Sequence, residues 1–203
     1  TFGPSRSMTR AEAAAIFARL LAEKNGDTIS TAANTKFADI PAHAWYSGYV
    51  KYLSNNGITY GKSKTIFAPN DAITRAEFTT MAVRFFDVYG DGDAEIMEQF
   101  SGFNDVSSGY WAAEYIKYAA LHGWINGYGD GSFHADREIN RAEVVTIVNR
   151  LLGREADEDY IADNLHKLNT FPDVSRKHWA YYAVMEAANA HTAVLGESES
   201  WSK

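Results

Sequence analysis

One tetrapeptide occurs three times in this chain, and it constrains the fold more than any other feature. It reads Thr9-Arg10-Ala11-Glu12, then Thr74-Arg75-Ala76-Glu77, then Asn140-Arg141-Ala142-Glu143. A phenylalanine stands eight residues before each arginine, at Phe2, Phe67 and Phe133. Behind each copy runs an apolar pattern of helical period. Six, seven, ten and eleven residues past the arginine it reads Ile16, Phe17, Leu20, Leu21, then Met81, Ala82, Phe85, Phe86, then Ile147, Val148, Leu151, Leu152. Thr-x-x-Glu ahead of such a run is a capping box. The hydroxyl accepts from an amide of the first turn, and the glutamate reaches back to the capping residue's own N–H. The arginine then falls on the first turn, where the helix dipole disfavours a cation. Two readings stay open for it: a salt-bridging or packing role, or an anion site formed with the amides of the helix start.

A second block also recurs. Phe37, Phe103 and Phe171 are each followed two residues on by Asp39, Asp105 and Asp173, and eight residues on by Trp45, Trp111 and Trp179. A short helix is expected near each tryptophan, with apolar sides Tyr49, Val50, Leu53, then Tyr115, Ile116, Ala119, then Ala183, Val184, Ala187. Gly57 and Gly123 fit its C-terminal cap, with His191 in that place in the last copy. The loop that follows is glycine-rich in the middle copy, Gly127-Tyr128-Gly129-Asp130-Gly131, which lets a backbone approach a ligand closely. The earlier loop, 61–65, keeps one glycine. Helices are expected over 93–99 and 157–167 in the acidic connectors.

The arginines Arg10, Arg75 and Arg141 lie 65 and 66 residues apart. Residues 37–89 and 103–153 are therefore two complete repeats. Residues 1–25 and 171–203 are halves of a third, together making one domain over 1–203. The expected fold is all-α, with three pseudo-repeats closed into a ring of pseudo-threefold symmetry. The capped helices would bury their shared apolar faces against one another.

Composition narrows the function. Of 203 residues, 46% are hydrophobic, which is the make-up of a folded protein rather than a disordered one. The net charge of −7 argues against a nucleic-acid partner, so an acidic ligand must be met by local cations. There is no cysteine, hence no disulfide, thiol catalysis or thiolate metal site. No apolar run approaches the ~20 residues of a membrane span. The chain opens inside a motif and reads as a piece of a longer protein. The acidic residues Asp87, Asp91, Asp93 and Glu95 lack the spacing of a calcium loop. No histidine pairing suits a catalytic metal, and no nucleophile-elbow or phosphate-loop motif is present. Acidic residues recur with every repeat, whereas a glycosidase site would occur once. No catalytic activity, cofactor or metal is expected.

Phe-x-Asp-Val…His-Trp at 171–179, Gly-Tyr-x-Asp-Gly-x-Phe at 127–133 and Ile-Thr-Arg-Ala-Glu at 73–77 resemble the signature of S-layer homology domains, over nearly the whole chain. The resemblance implies a three-pronged spindle around a central bundle of the three capped helices, with grooves between neighbouring repeats. It also implies non-covalent anchoring of an exported protein at the bacterial cell wall. The ligand would be a secondary cell wall polysaccharide, often ending in pyruvylated N-acetylmannosamine. The groove residues it implies are Arg10, Arg75 and Arg141 with Asp39, Asp105 and Asp173, Trp45, Trp111 and Trp179, and the loop glycines Gly127 and Gly129.

Taken alone, these residue types fit that chemistry. A carboxylate on a sugar suits a bidentate arginine, and a pyranose ring suits an aromatic platform. Each tryptophan also suits a core anchor, and each aspartate a turn cap. Arg19, Arg84 and Arg150, nine residues past the motif arginines, read as a solvated or salt-bridged helix face. A protein–protein module of a surface assembly, with a neighbouring S-layer protein as partner, is the alternative function.

Overall fold

A computed structural model of the chain describes residues 1–90, 100–194 and 200–202. Among the described residues the chain is helical: α1 (Arg10–Asn25), α2 (Ser47–Asn55), α3 (Arg75–Tyr89), α4 (Ala113–Leu121), α5 (Arg141–Leu151), α6 (Glu158–Asn164) and α7 (Tyr181–Ala188). A 3-10 turn, Leu165–Lys167, follows α6. The all-α expectation is met, with one small addition. Strands β1 (Thr192–Val194) and β2 (Ser200–Ser202) pair antiparallel, Ala193 opposite Trp201. The helix expected over 93–99 lies outside the described residues, as do Asp91, Asp93 and Glu95.

The three motif helices start as their sequences dictate. Thr9, Thr74 and Asn140 each accept from the amide of Glu12, Glu77 and Glu143, and those glutamates bond back to the capping residue's N–H. The short helices α2 and α4 stop at Gly57 and Gly123, whose φ values of 74° and 68° lie in the left-handed region. That bend lets Ile58 and Trp124 donate back to the carbonyls of Leu53 and Ala119, both at 3.0 Å.

The described residues form two compact units, 7–139 and 1–6 with 140–203. In the first, α1 packs against α3, and Phe17 lies 5.2 and 5.0 Å from Phe78 and Phe85. Helix α1 is buried on most of its circumference, and much of that surface is alanine: Ala13, Ala14, Ala15, Ala18 and Ala22. Small side chains let neighbours approach its backbone closely. Helix α2 lies on α1 and α4 on α3. Ahead of the helices the backbones of Met8, Ile73 and Ile139 close a cycle. Met8 donates to Ile139, Ile139 to Ile73 and Ile73 to Met8, at 3.0, 3.0 and 2.9 Å. All three side chains are buried, so these peptide groups satisfy one another where water does not reach.

In the other unit α7 packs on α5. Tyr181, Val184 and Met185 form its buried side with Ala142, Ile161 and Trp201. Ala187, expected on that side, is exposed. The predicted connector helix forms as α6, started by Asp157, which accepts from the Tyr160 amide with one oxygen and from the Trp201 amide with the other. In every case the short helix packs on the capped helix that precedes it in the chain.

The capping glutamate of α3 has a second task. Its Oε2 accepts from the Thr74 amide at 3.0 Å, while Oε1 lies 3.0 Å from the buried Arg10 guanidinium of α1. Thr74→Ala therefore removes a cap alone and is expected to cost about 1 kcal/mol. Glu77→Ala also strands a buried cation and is expected to cost about 3 kcal/mol. Urea denaturation checks the order, and equal losses would show that the Arg10–Glu77 contact contributes nothing.

Candidate functional site

Each Phe-x-Asp block ends in the same clamp. The Asp39 carboxylate accepts the amides of Phe67 and Ala68 at 2.9 and 2.6 Å. Asp105 takes those of Phe133 and His134, both at 2.7 Å, and Asp173 those of Phe2 and Gly3 at 2.8 and 2.7 Å. The second residue of each pair is left-handed: Ala68 has φ 60°, His134 55° and Gly3 70°. Burial works against the charge of Asp105, but the Phe133 and His134 amides outweigh it and hold the carboxyl below its ordinary range. The amides of Phe2 and Gly3 do the same for Asp173. Both oxygens of each aspartate are thus bonded to backbone, the turn-capping reading rather than the sugar-binding one.

The clamp presents the phenylalanine carbonyl to the motif arginine. Arg10 Nε donates to Phe67 O at 2.7 Å, Arg75 to Phe133 O at 2.9 Å and Arg141 to Phe2 O at 2.9 Å. Each guanidinium also lies over the ring of the same phenylalanine, at 5.0, 4.4 and 4.7 Å. Arg10 and Arg75 are buried, at 4% and 5% exposure, and Arg141 is half-buried. The amides of the helix starts are occupied as well. Arg10 and Ala11 donate to Asp71 and Pro69, Arg75 and Ala76 to Arg137 and Ala135, Arg141 and Ala142 to Arg6 and Pro4. An anion would have to displace those bonds. The dipole penalty on a first-turn cation is met here by a carbonyl, a ring face and, for Arg10, the Glu77 carboxylate.

The tryptophans turn outward. Trp45, Trp111 and Trp179 are 56%, 56% and 64% exposed, which rules out the core-anchor reading for all three. Trp45 meets Tyr46 and Tyr49 edge to face, at 5.4 and 6.4 Å. One turn into the short helix, Tyr49 accepts both Nε and a terminal nitrogen of Arg19, at 3.2 and 3.1 Å. Tyr115, four residues after Trp111, holds Arg84 in the same way at 3.3 and 3.0 Å. The Arg84 guanidinium lies 4.9 Å from the Tyr115 ring and 4.7 Å from that of the exposed Tyr60. These Arg–Tyr pairs are not legible from a helical wheel, which only places both residues on helix surfaces. The available signal was co-occurrence: tyrosine stands four residues after the tryptophan in two copies and Ala183 in the third.

Beside the Asp105 clamp opens a groove of about 480 Å³, lined by Asp105, Tyr110, His134, Ala135, Asp136 and Arg137. Tyr110 donates to Asp136 at 2.6 Å. Burial first, then that carboxylate, pushes the phenol up to about 12, so it remains a donor at neutral pH. Arg137 donates to the Tyr128 hydroxyl at 2.5 Å. Of the loop glycines, Gly127 is sterically required: a Cβ there would come within 2.5 Å of the Phe103 ring and 2.6 Å of the Ser132 carbonyl. Gly129 has open space around it. The loop with a single glycine is built alike, since Lys62 donates to Ile66 as Tyr128 does to Ser132.

Known proteins share sequence with this chain. The profile of the family described as S-layer homology domain matches residues 36–79 and 102–145. The chain is 33% identical to "Cell surface glycoprotein 1" of Acetivibrio thermocellus over 98% of its own length and 8% of the relative's. It is 31% identical to the "Cellulosome-anchoring protein" of the same organism, over 97% of this chain and 42% of that one. Against the "Surface-layer 125 kDa protein" of Lysinibacillus sphaericus it is 32% identical, over 74% of this chain and 12% of the relative. The chain thus spans less than half the length of each.

The clamps make stability sensitive to acid. Asp105 and Asp173 titrate lower in the fold than in the unfolded chain. Their contribution is complete above the unfolded value of about 4 and is lost as pH falls through the lowered folded values. Melting temperature is expected to fall below about pH 4, and less steeply in Asp105→Asn, whose baseline stability is lower. An unchanged acid slope in the variant would remove Asp105 from this account.

Proposed function

Two S-layer homology segments, at residues 36–79 and 102–145, are the premise from which we propose that this chain fastens a longer exported protein to the bacterial cell wall without a covalent bond. Its place is the cell surface, and its ligand is a secondary cell wall polysaccharide carrying a pyruvylated N-acetylmannosamine end. No chemistry on the glycan is part of this reading.

The observation that carries it is the exposure of Trp45, Trp111 and Trp179 at equivalent positions. A large ring left in water at three equivalent positions offers a surface on which a pyranose face stacks. Two relatives whose names describe surface or anchoring proteins support the anchoring role. Of the motif arginines, the half-buried Arg141 is the one proposed to touch the ligand directly. Arg10 and Arg75 serve by holding the loops.

Sedimentation with purified cell walls tests the reading. The chain is expected to pellet with intact walls and to stay in solution once the polysaccharide has been extracted. Binding that survives extraction would overturn it in favour of a protein partner. Each Trp→Ala variant is expected to lose roughly fivefold in affinity at its site, from a platform worth about 1 kcal/mol. Its melting temperature should hold, because these rings are mostly in water.

A further inference from the structure

We infer that Arg19 and Arg84, held by Tyr49 and Tyr115, read the acid group of the glycan at the tryptophan positions of Trp45 and Trp111. The inference rests on the glycan reading above and says where its charge is recognised.

The motif arginines are poorly placed for this work. Two of them are buried, and all three engage a carbonyl and a ring. Arg19 and Arg84 differ in kind. Arg19 is exposed and Arg84 half-buried, and among the described residues neither meets a carboxylate. An unpaired arginine on a surface ordinarily samples many rotamers, and binding must then order it. Here Nε and one terminal nitrogen both donate to a single tyrosine hydroxyl, and the guanidinium packs over that ring at 5.1 and 4.9 Å. The fork is fixed before any ligand arrives, with its remaining N–H groups available to a carboxylate. In both copies the tryptophan stands four residues before the tyrosine, just ahead of the helix. At Trp45 the two rings are in contact. Sugar platform and fixed cation therefore adjoin there, and Trp111 and Tyr115 stand at the same spacing. In the third copy Arg150 is retained, but Ala183 occupies the tyrosine position and offers no hydroxyl.

Calorimetric titration of the full chain with a glycoside of N-acetylmannosamine bearing a pyruvate ketal, and with the same glycoside lacking it, decides the matter. The expected result is tighter binding of the acidic glycoside at the Trp45 and Trp111 positions. Arg19→Ala with Arg84→Ala should weaken both by roughly ten- to a hundredfold, the range of a charge-assisted contact, while Arg150→Ala leaves them unchanged. Tyr49→Phe with Tyr115→Phe keeps the packing and removes the hydroxyls, so it should reproduce part of the loss even where the arginine variants melt early. Arg→Lys at both positions should recover only a fraction. If the wild type binds the acidic glycoside and both the arginine and the tyrosine pairs of variants bind it equally well, the inference is overturned and the anchoring function stands. A wild type that binds neither glycoside would overturn the glycan reading itself.

Discussion

The framework depends on a guanidinium turned inward onto a phenylalanine carbonyl. For that carbonyl to point at the arginine, the chain must bend sharply one residue later. Two of the three bends use residues with a Cβ, Ala68 and His134, in a left-handed conformation that costs roughly 1–2 kcal/mol. The bend persists because an aspartate grips the amides on both of its residues. Aspartate, bent loop and arginine are thus one device, and its parts are separated by 28 to 58 residues of sequence in two copies and by 139 to 171 in the third. None of the three keeps its role alone. Loss of the carboxylate frees the loop, and loss of the guanidinium leaves a buried carbonyl without its donor.

This device explains what the sequence disclosed and what it hid. Capping boxes are local, so the starts of α1, α3 and α5 were legible to the residue. Repeat spacing is arithmetic, so the equivalence of Asp39, Asp105 and Asp173 was legible too. The direction of a side chain is neither local nor arithmetic. Trp45 and its equivalents were open between core and surface, because an aromatic ring at a helix start fits both until the packing of α2 on α1 is known. Which capped helix a tryptophan block packs on is likewise not legible in the spacing. Sequence grouped each tryptophan block with the capped helix that follows it, while packing joins its helix to the capped helix that precedes it. The loops bond in the same sense, Arg10 of α1 to Phe67 ahead of α3. Helix and loop of each block therefore both belong with the capped helix before them.

The polar residues fall into two populations that composition cannot separate. Arg10 and Arg75 are buried cations, satisfied by carbonyls, rings and a carboxylate. Replacing such a group leaves its partners stranded, and the fold reports the loss. Arg19 and Arg84 stand on the outside of the same helices, nine residues on, and contribute little to the core. The tyrosines that hold them are themselves half-buried, so a surface cation inherits the rigidity of the helix pair beneath it. A reading of the motif alone assigns function to the first population because it is the more regular. Regularity here follows from the needs of the framework.

Net charge gives this division its consequence. At −7 the chain as a whole repels an acidic polymer, and that repulsion is screened within about 8 Å at physiological salt. Attraction must come from contacts shorter than that length, where a guanidinium of fixed orientation gains two hydrogen bonds as well as Coulomb energy. A mobile lysine on such a surface would lose much of that gain to ordering. On the proposed glycan reading, affinity depends on bringing the sugar ring and its acid group to platform and cation together, and a polymer that offers only one of the two is held weakly. An acidic protein can in this way discriminate among acidic glycans by geometry, because its overall field gives none of them an advantage.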